Sequence, residues 1–534
     1  MAGMKEYQTP TEDGQVVVLP AAESLPARTR ANAELRAKYR FDVLGIPAPA
    51  LAGQVRAEIA QLARSYTNSL GMKAGDARGG LIVATGHQPV LPHPGIWLKN
   101  HLAWRLAQTA GASSVNFIVD NDTVDLSTIK VPTERDDGMT VEVVRFIDCP
   151  RGVAAEDVTV RGDAAAALAE TARLAATALG DTLADNFVAA TAPSERLVEF
   201  ISRPRRQLEE RFGLHNLELP VSHLCKTNAF LTFAAHIIAH AGRFAATYND
   251  ALDEHRAERG ITNPVEPTPN LRCDGGWAEL PFWIWRRGER RRPMLATHVG
   301  QGWALRDGAV EYAELCPDTE PARAVGWLSE ENTRLKIRPR ALAMTMFFRL
   351  FCCDMFIHGM GGAHYEPVND TVIRAFFGCE PLDYVTASAT LLIKPKTPLP
   401  SPEDVVELRQ RIRRMKATPE RFIDEFLPDD KEARELARQR IALLHPTGLS
   451  KRERRRAFIE SKNLAARLQE RMAPYILAAE KKLARAEKLV TLRAALEDRE
   501  YPFFLHSRAA LETLYELPAL RPPASGGTAQ GPHN

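Results

Sequence analysis

The sequence predicts an α/β protein built around a parallel β-sheet. Three observations predict it. Two apolar runs, 81–84 and 355–357, each stop at a corner rich in Gly and His, with helical sequence soon after. Residues 81–119 read strand, helix, strand. Leu98, Leu102 and Leu106 recur at helical spacing, and 115–119 is a second apolar run. Such a βαβ unit implies a parallel pair with a right-handed crossover. The same alternation returns after the second corner, with a helix at 371–377, Gly378 placed to cap it, and a strand at 384–393.

The other elements follow in order. Residues 1–76 form a lead-in with helices near 31–38 and 51–66. A helical insertion lies near 154–216. Its Ala-rich helix 164–179 is capped by Gly180, and a second helix spans 195–212. Helical sequence resumes from 228 to about 258. An antiparallel β insertion lies near 271–316, where apolar runs flank Arg287-Gly288-Glu289 and Arg306-Asp307-Gly308. The α/β pattern resumes at Ile337, with a helix at 341–350. Pro395, Pro398, Pro400 and Pro402 mark a linker. They close an α/β core of residues 1–400.

Residues 401–520 are predicted as a C-terminal helical, coiled-coil domain, interrupted at His445-Pro446-Thr447-Gly448. In its longest helix Leu464, Leu468, Met472, Tyr475 and Ala479 approximate a 3.5-residue period, with Pro474 as a flaw. That stripe suits either a homodimer or packing on the chain's own core. The Pro- and Gly-rich tail 521–534 is predicted to be disordered.

Composition narrows the function. Of 534 residues, 45% are hydrophobic and 25% charged, with a net charge of +2, so nothing electrostatic favours a nucleic-acid partner. Seven cysteines are scattered without a CxxC pair, which argues for reduced thiols and against zinc-ribbon spacing. No stretch approaches the ~20 apolar residues of a spanning helix, and residues 1–15 lack a signal-peptide core. The expectation is a cytoplasmic protein with no membrane partner.

Candidate site residues cluster at the corners. The first contains Gly86, His87, Gln88, His93 and Gly95. A glycine near a helix N-terminus lets a phosphate or carboxylate come close. His93-Pro94-Gly95-Ile96 shares the His-x-Gly start of the signature used by nucleotidyl-transferring enzymes, with Ile in place of the second His. A loop with a capping His is the plainer account. The second corner contains His358, Gly361, Gly362, His364, Tyr365, Glu366 and Asn369. His87 or His358 suits general-base work near neutral pH, with Glu366 to orient it. Asp120, Asn121 and Asp122 end the 115–119 strand, where a substrate ammonium or Mg²⁺ would bind; an Asx turn competes. Arg338 and Arg340 could clamp a carboxylate or phosphate, or simply be solvated. No His-x-x-x-His spacing links these candidate histidines, and no metal ligands are assigned. Five arginines between 286 and 292 suit a solvated turn or an anionic partner.

At these residues the chain resembles the bacillithiol biosynthesis cysteine-adding enzymes. Gly86-His87-Gln88-Pro89 is similar to that family's Gly-(His/Gln)-Gln-Pro loop. Phe117-Ile118-Val119-Asp120-Asn121-Asp122 is similar to its acidic strand end, with Asn121 where the family usually has His. Arg338-Pro339-Arg340, Gly361 to Glu366 and Thr390-Leu391-Leu392 follow in the family's order. The resemblance implies a Rossmann-like core related to class I aminoacyl-tRNA synthetases and a coiled coil that makes a homodimer. It also implies a ligase that joins cysteine to the amine of a glucosamine–malate conjugate. In that picture Asp120 or Asp122 holds an ammonium and Arg338 or Arg340 an acidic group. His87 or His358 takes a proton from the attacking amine, and ATP with Mg²⁺ would activate the acid. Nucleotidyl transfer and a non-catalytic coiled-coil scaffold are the alternatives.

Overall fold

The computed structural model describes residues 8–75, 80–136, 138–300, 302–307, 311–315, 320–332, 334–444, 448 and 450–520. Its centre is a mostly parallel six-stranded sheet: β1 (Val16–Leu19), β2 (Ile82–His87), β3 (Ser113–Ile118), β4 (Leu217–Pro220), β5 (Met355–His358) and β6 (Tyr384–Ala389). The spatial order is β1-β6-β5-β2-β3-β4. Strands β2 to β6 are parallel, and β1 lies antiparallel on the β6 edge. The chain steps outward from β2 through β3 to β4. It then returns to lay β5 and β6 on the other side of β2. The strand order therefore reverses between β2 and β5, whose register pairs Ile357 with Thr85.

Burial on both faces explains why these strands read as apolar runs rather than alternations. Ile82, Ala84, Val115, Phe117 and Leu219 point into one core, with helices Ala48–Ser69, Asn228–Ala239 and Glu366–Phe377. Val83, Met355, Ile357, Val385 and Ala387 point into the other, against helix Pro94–Ala110. Gly111 ends that helix at φ 68°, a left-handed conformation that Gly adopts without penalty.

Helices Ala164–Ala178, Ala184–Ala190 and Leu197–Arg211 fill the predicted helical insertion. The β insertion is a five-stranded antiparallel path: Glu311–Leu315, Gly302–Arg306, Arg292–Val299, Trp277–Arg286, Leu335–Pro339. The turn at Arg287-Gly288-Glu289 forms; residues 308–310 lie outside the described residues. Leu335–Pro339 differs from expectation. It does not resume the α/β core but closes this second sheet, with Arg338 opposite Trp283. Helical residues 228–259 break at His240 into two helices bent by 86°. Among the described residues no single helix is long and apolar enough to cross a membrane.

In the C-terminal part, helices Pro402–Ala417 and Lys431–Leu444 pack along Lys451–Leu496. Ser401 with Asp404, and Ser450 with Glu453, close capping boxes at two of the helix starts. Met415, Leu436, Leu464, Leu468 and Met472 share one core, so the predicted stripe is covered by the chain's own helices. The long helix continues through Pro474. The predicted break lies largely outside the described residues (445–447 and 449), as does the tail 521–534.

Beyond the long helix the chain returns to the α/β core, although the sequence reading carried the helical domain to 520. Phe503 stacks on Trp97 with ring centroids 4.1 Å apart, and Tyr515 Oη donates to Pro94 O at 3.1 Å.

Candidate functional site

The two corners meet. Strand β2 ends at His87 and β5 at His358, adjacent in the sheet, and both corners line one crevice of about 370 Å³. It lies at the carboxyl ends of the strands where their order reverses, the place at which open α/β sheets bind ligands. Its walls include His87, Gln88, His93, Gly95, His358, Gly361, Gly362 and Tyr365.

His358 is 3% exposed. Its Nε2 lies 3.6 Å from Glu366 Oε1 and has no hydrogen-bond partner in the protein. Burial pushes its pKa down to about 4 against the pull of Glu366, so the ring is neutral at pH 7. Gly362 sits against it: a Cβ there would lie 3.1 Å from His358 Nδ1. Glu366 stands behind His358 rather than in the crevice. Arg349 holds it, and Arg349 also binds Asp370 at 2.7 Å. Its pairing with Arg349 keeps Glu366 ionised despite burial.

Burial and the nearby Lys99 charge push the His87 pKa well below 6.5. His93 caps helix Pro94–Ala110 through Nδ1, which accepts from Gly95 N at 3.1 Å. Its pKa falls to about 3, mainly by burial. This is the capping role named as the plainer account.

The space at Gly95 is filled, not open to a phosphate. A Cβ there would lie 2.1 Å from Ala389 O, so the glycine lets the helix press onto β6.

Other predicted residues lie elsewhere. His364 is exposed and outside the crevice lining. Asn369 is fully buried, donating to Thr345 Oγ1 and Glu366. Asp120 and Arg338 line a different cavity, of about 440 Å³. There Asp120 accepts from Ser222 N at 2.8 Å, and burial pushes its pKa up to about 7. Arg338 grips Glu156 with two bonds, Nε at 2.9 Å and Nη2 at 3.1 Å. Arg340 pairs with Glu279 and lies over the Trp283 ring. Asn121 donates to Pro339 O, and Asp122 binds Gln88 Nε2 and Arg291. Both arginines are thus committed to carboxylates of the protein, so neither is free to clamp a substrate acid. Neither Asp120 nor Asp122 reaches the crevice to hold an ammonium. The arginine-rich turn is likewise engaged: Arg291 bonds Asn121 O and Arg287 lines the second cavity.

Lys99, Ser388, Arg499 and Glu500 are among the crevice residues that were not anticipated. Lys99 Nζ donates to Gly86 O at 2.7 Å. Burial alone lowers its pKa to about 8. A lysine set in the run Ile96-Trp97-Leu98-Lys99, one turn after Gly95, was the available signal. Arg499 spans the rim, donating to Pro10 O, Ser388 Oγ and Ala389 O. Among the described residues no cluster of three or more His, Cys, Asp or Glu could hold a metal ion. Chemically, the crevice offers uncharged imidazoles as proton acceptors and one buried ammonium for negative charge.

No protein-family model matches the chain, and no curated protein matches it.

Proposed function

We propose that this chain is a carbon–nitrogen ligase on a Rossmann-like core. It would join an amino acid, cysteine in the family it resembles, to the amine of an amino-sugar conjugate, in the cytoplasm. One observation carries the reading: two corners remote in sequence converge, with neutral His87 and His358, on a crevice where the strand order reverses. The order β4-β3-β2-β5-β6 is 3-2-1-4-5 in chain order, which supports the Rossmann-like assignment.

In this mechanism the amine attacks an activated carboxyl carbon, and the C–N bond forms as the nitrogen loses a proton. His358 lines the crevice and its imidazole accepts that proton; its buried Nε2 faces Glu366 Oε1 at 3.6 Å, and that carboxylate stabilises the imidazolium. ATP, when bound, supplies the activation that a free carboxylate requires. Residues 359–361 form a wall with room for it, since a Cβ at Gly359 or Gly361 would meet nothing within 4 Å. Magnesium does not fit the crevice lining alone. Glu500 is the single carboxylate there among the described residues, and no step is routed through a metal. A homodimer belongs to the same proposal. With the stripe of the long helix covered, a partner would meet faces carrying Phe458 and Ile459, 60% and 52% exposed.

The test is condensation itself. The protein with ATP, cysteine and a panel of amino-sugar acids should yield a product one water lighter than its parts, read by mass spectrometry. No product across a panel of amino acids and amines would defeat the ligase. If no nucleotide, amino acid or amino sugar raised the melting temperature either, a scaffold role would replace it.

A further inference from the structure

Among the described residues, Lys99 is the exception among the buried cations. Arg36, Arg205, Arg206, Arg338, Arg349 and Arg440 are buried, and each pairs with a carboxylate. Lys99 is equally buried, 3% exposed, and pairs with no carboxylate among the described residues. Among the described residues its one partner is the Gly86 carbonyl, which occupies one of three ammonium donors. An unpaired buried charge is costly, and a fold that pairs its other buried cations is not short of carboxylates.

The surroundings do not supply the missing charge. His87, His93 and His358 line the same crevice, and Lys99 pushes the pKa of each downward. Glu366, behind His358, is committed to Arg349. At the rim Arg499 and Glu500 lie 3.8 Å apart and offset one another. Among the described residues the crevice therefore holds two cations and one anion, and the surplus charge is that of Lys99.

We propose that Lys99 is the anion-binding residue of the crevice, with a carboxylate or phosphate of the substrate seated on its ammonium as the counter-ion the fold omits. This rests on the reading of the crevice as a substrate site and narrows that substrate to one carrying such a group. It also places the anion beside the two imidazoles, where the acyl group or its activating phosphate would have to lie.

The experiment is direct binding, without turnover, in a buffer free of polyvalent anions. Succinate and inorganic phosphate are titrated by calorimetry into the wild-type protein, Lys99→Met and His364→Gln, a change at an exposed residue outside the crevice lining. The expected result is binding of at least one anion to wild type and to His364→Gln, weakened at least tenfold in Lys99→Met. Which anion binds tells a carboxylate site from a phosphate site. Should Lys99→Met not fold, the wild type is titrated at pH 7 and pH 9.5, and affinity should fall at least fivefold as the ammonium is lost. Equal binding to wild type and Lys99→Met, no binding of either anion, or affinity unchanged between the two pH values would each overturn the proposal. Product formation with unchanged anion binding in Lys99→Met would sink this inference and leave the ligase standing. Lys99-dependent binding without product would do the reverse.

Discussion

Replacing Lys99 by Met should stabilise the empty protein, because it removes a buried charge that no carboxylate among the described residues pairs. The ammonium's pKa falls from 10.5 to about 8. At about 1.4 kcal/mol per pH unit, keeping it charged costs roughly 3 kcal/mol. Methionine retains most of the stem but abandons the hydrogen bond to Gly86 O, a loss of about 1 kcal/mol. The net gain is about 2 kcal/mol at pH 7. An unfolding entropy of roughly 2 cal/mol/K per residue over 534 residues converts this to about 2 °C in Tm. The sign with pH is specific. The folded state holds this proton less tightly, so the unfolded chain binds more protons between about pH 8 and 10.5. Wild-type stability relative to Lys99→Met should therefore rise across that window, with the full cost present below pH 8. Differential scanning calorimetry of both proteins at pH 7 and pH 9.5, without polyvalent anions, reads it. A variant that melts below wild type at pH 7, with a gap indifferent to pH, would show that the charge is compensated and refute the reasoning.

Other outcomes follow from the same geometry. His358→Gln should lower condensation turnover about a hundredfold with unchanged circular dichroism, the usual scale for a lost general base; turnover within threefold of wild type would remove His358 from that role. With the His358 pKa near 4 rather than 6.5, stability from this ring should be complete above pH 6.5 and lost as pH falls toward 4. A His358→Gln variant whose acid unfolding curve overlays that of wild type would contradict this. Gly95→Ala drives a methyl into Ala389 O and should cost about 2 kcal/mol or more; a Tm within 1 °C of wild type would show that the helix shifts freely. Arg349→Met strands buried Glu366 and should cost about 3–5 kcal/mol, with Glu366→Gln in the same chain recovering part of it. A double variant no more stable than the single would count against the pairing.

Much of the core was legible because its strands are buried on both faces and end at glycine and histidine. The 81–119 unit, the second corner and the helical and β insertions follow from that pattern. What escaped was set by distant partners. β1 is four residues long and exists because it pairs with β6, at the far end of the α/β core. Strand β4 is only four residues long and carries no turn signal of its own, whereas the hairpin Thr128–Arg135 with Gly138–Arg145 was overlooked although Asp137-Gly138 marks its turn in the sequence. Arg338 looked available because its partner, Glu156, lies 182 residues earlier and belongs to another element. Gly95 was correctly singled out for close approach, but the group that approaches is the chain's own backbone. Lys99 escaped because lysine on a helix is normally solvated, and only the packing of β2 against that helix buries it.

The central claim is that residues 86–99 and 358–365 form one binding site. Hydrogen–deuterium exchange with and without succinate, inorganic phosphate or ATP tests it most directly. The account predicts that a bound anion slows exchange in both segments together, while the cavity lined by Asp120 and Arg338 is unchanged. Protection confined to that second cavity, or to one corner without the other, would contradict it.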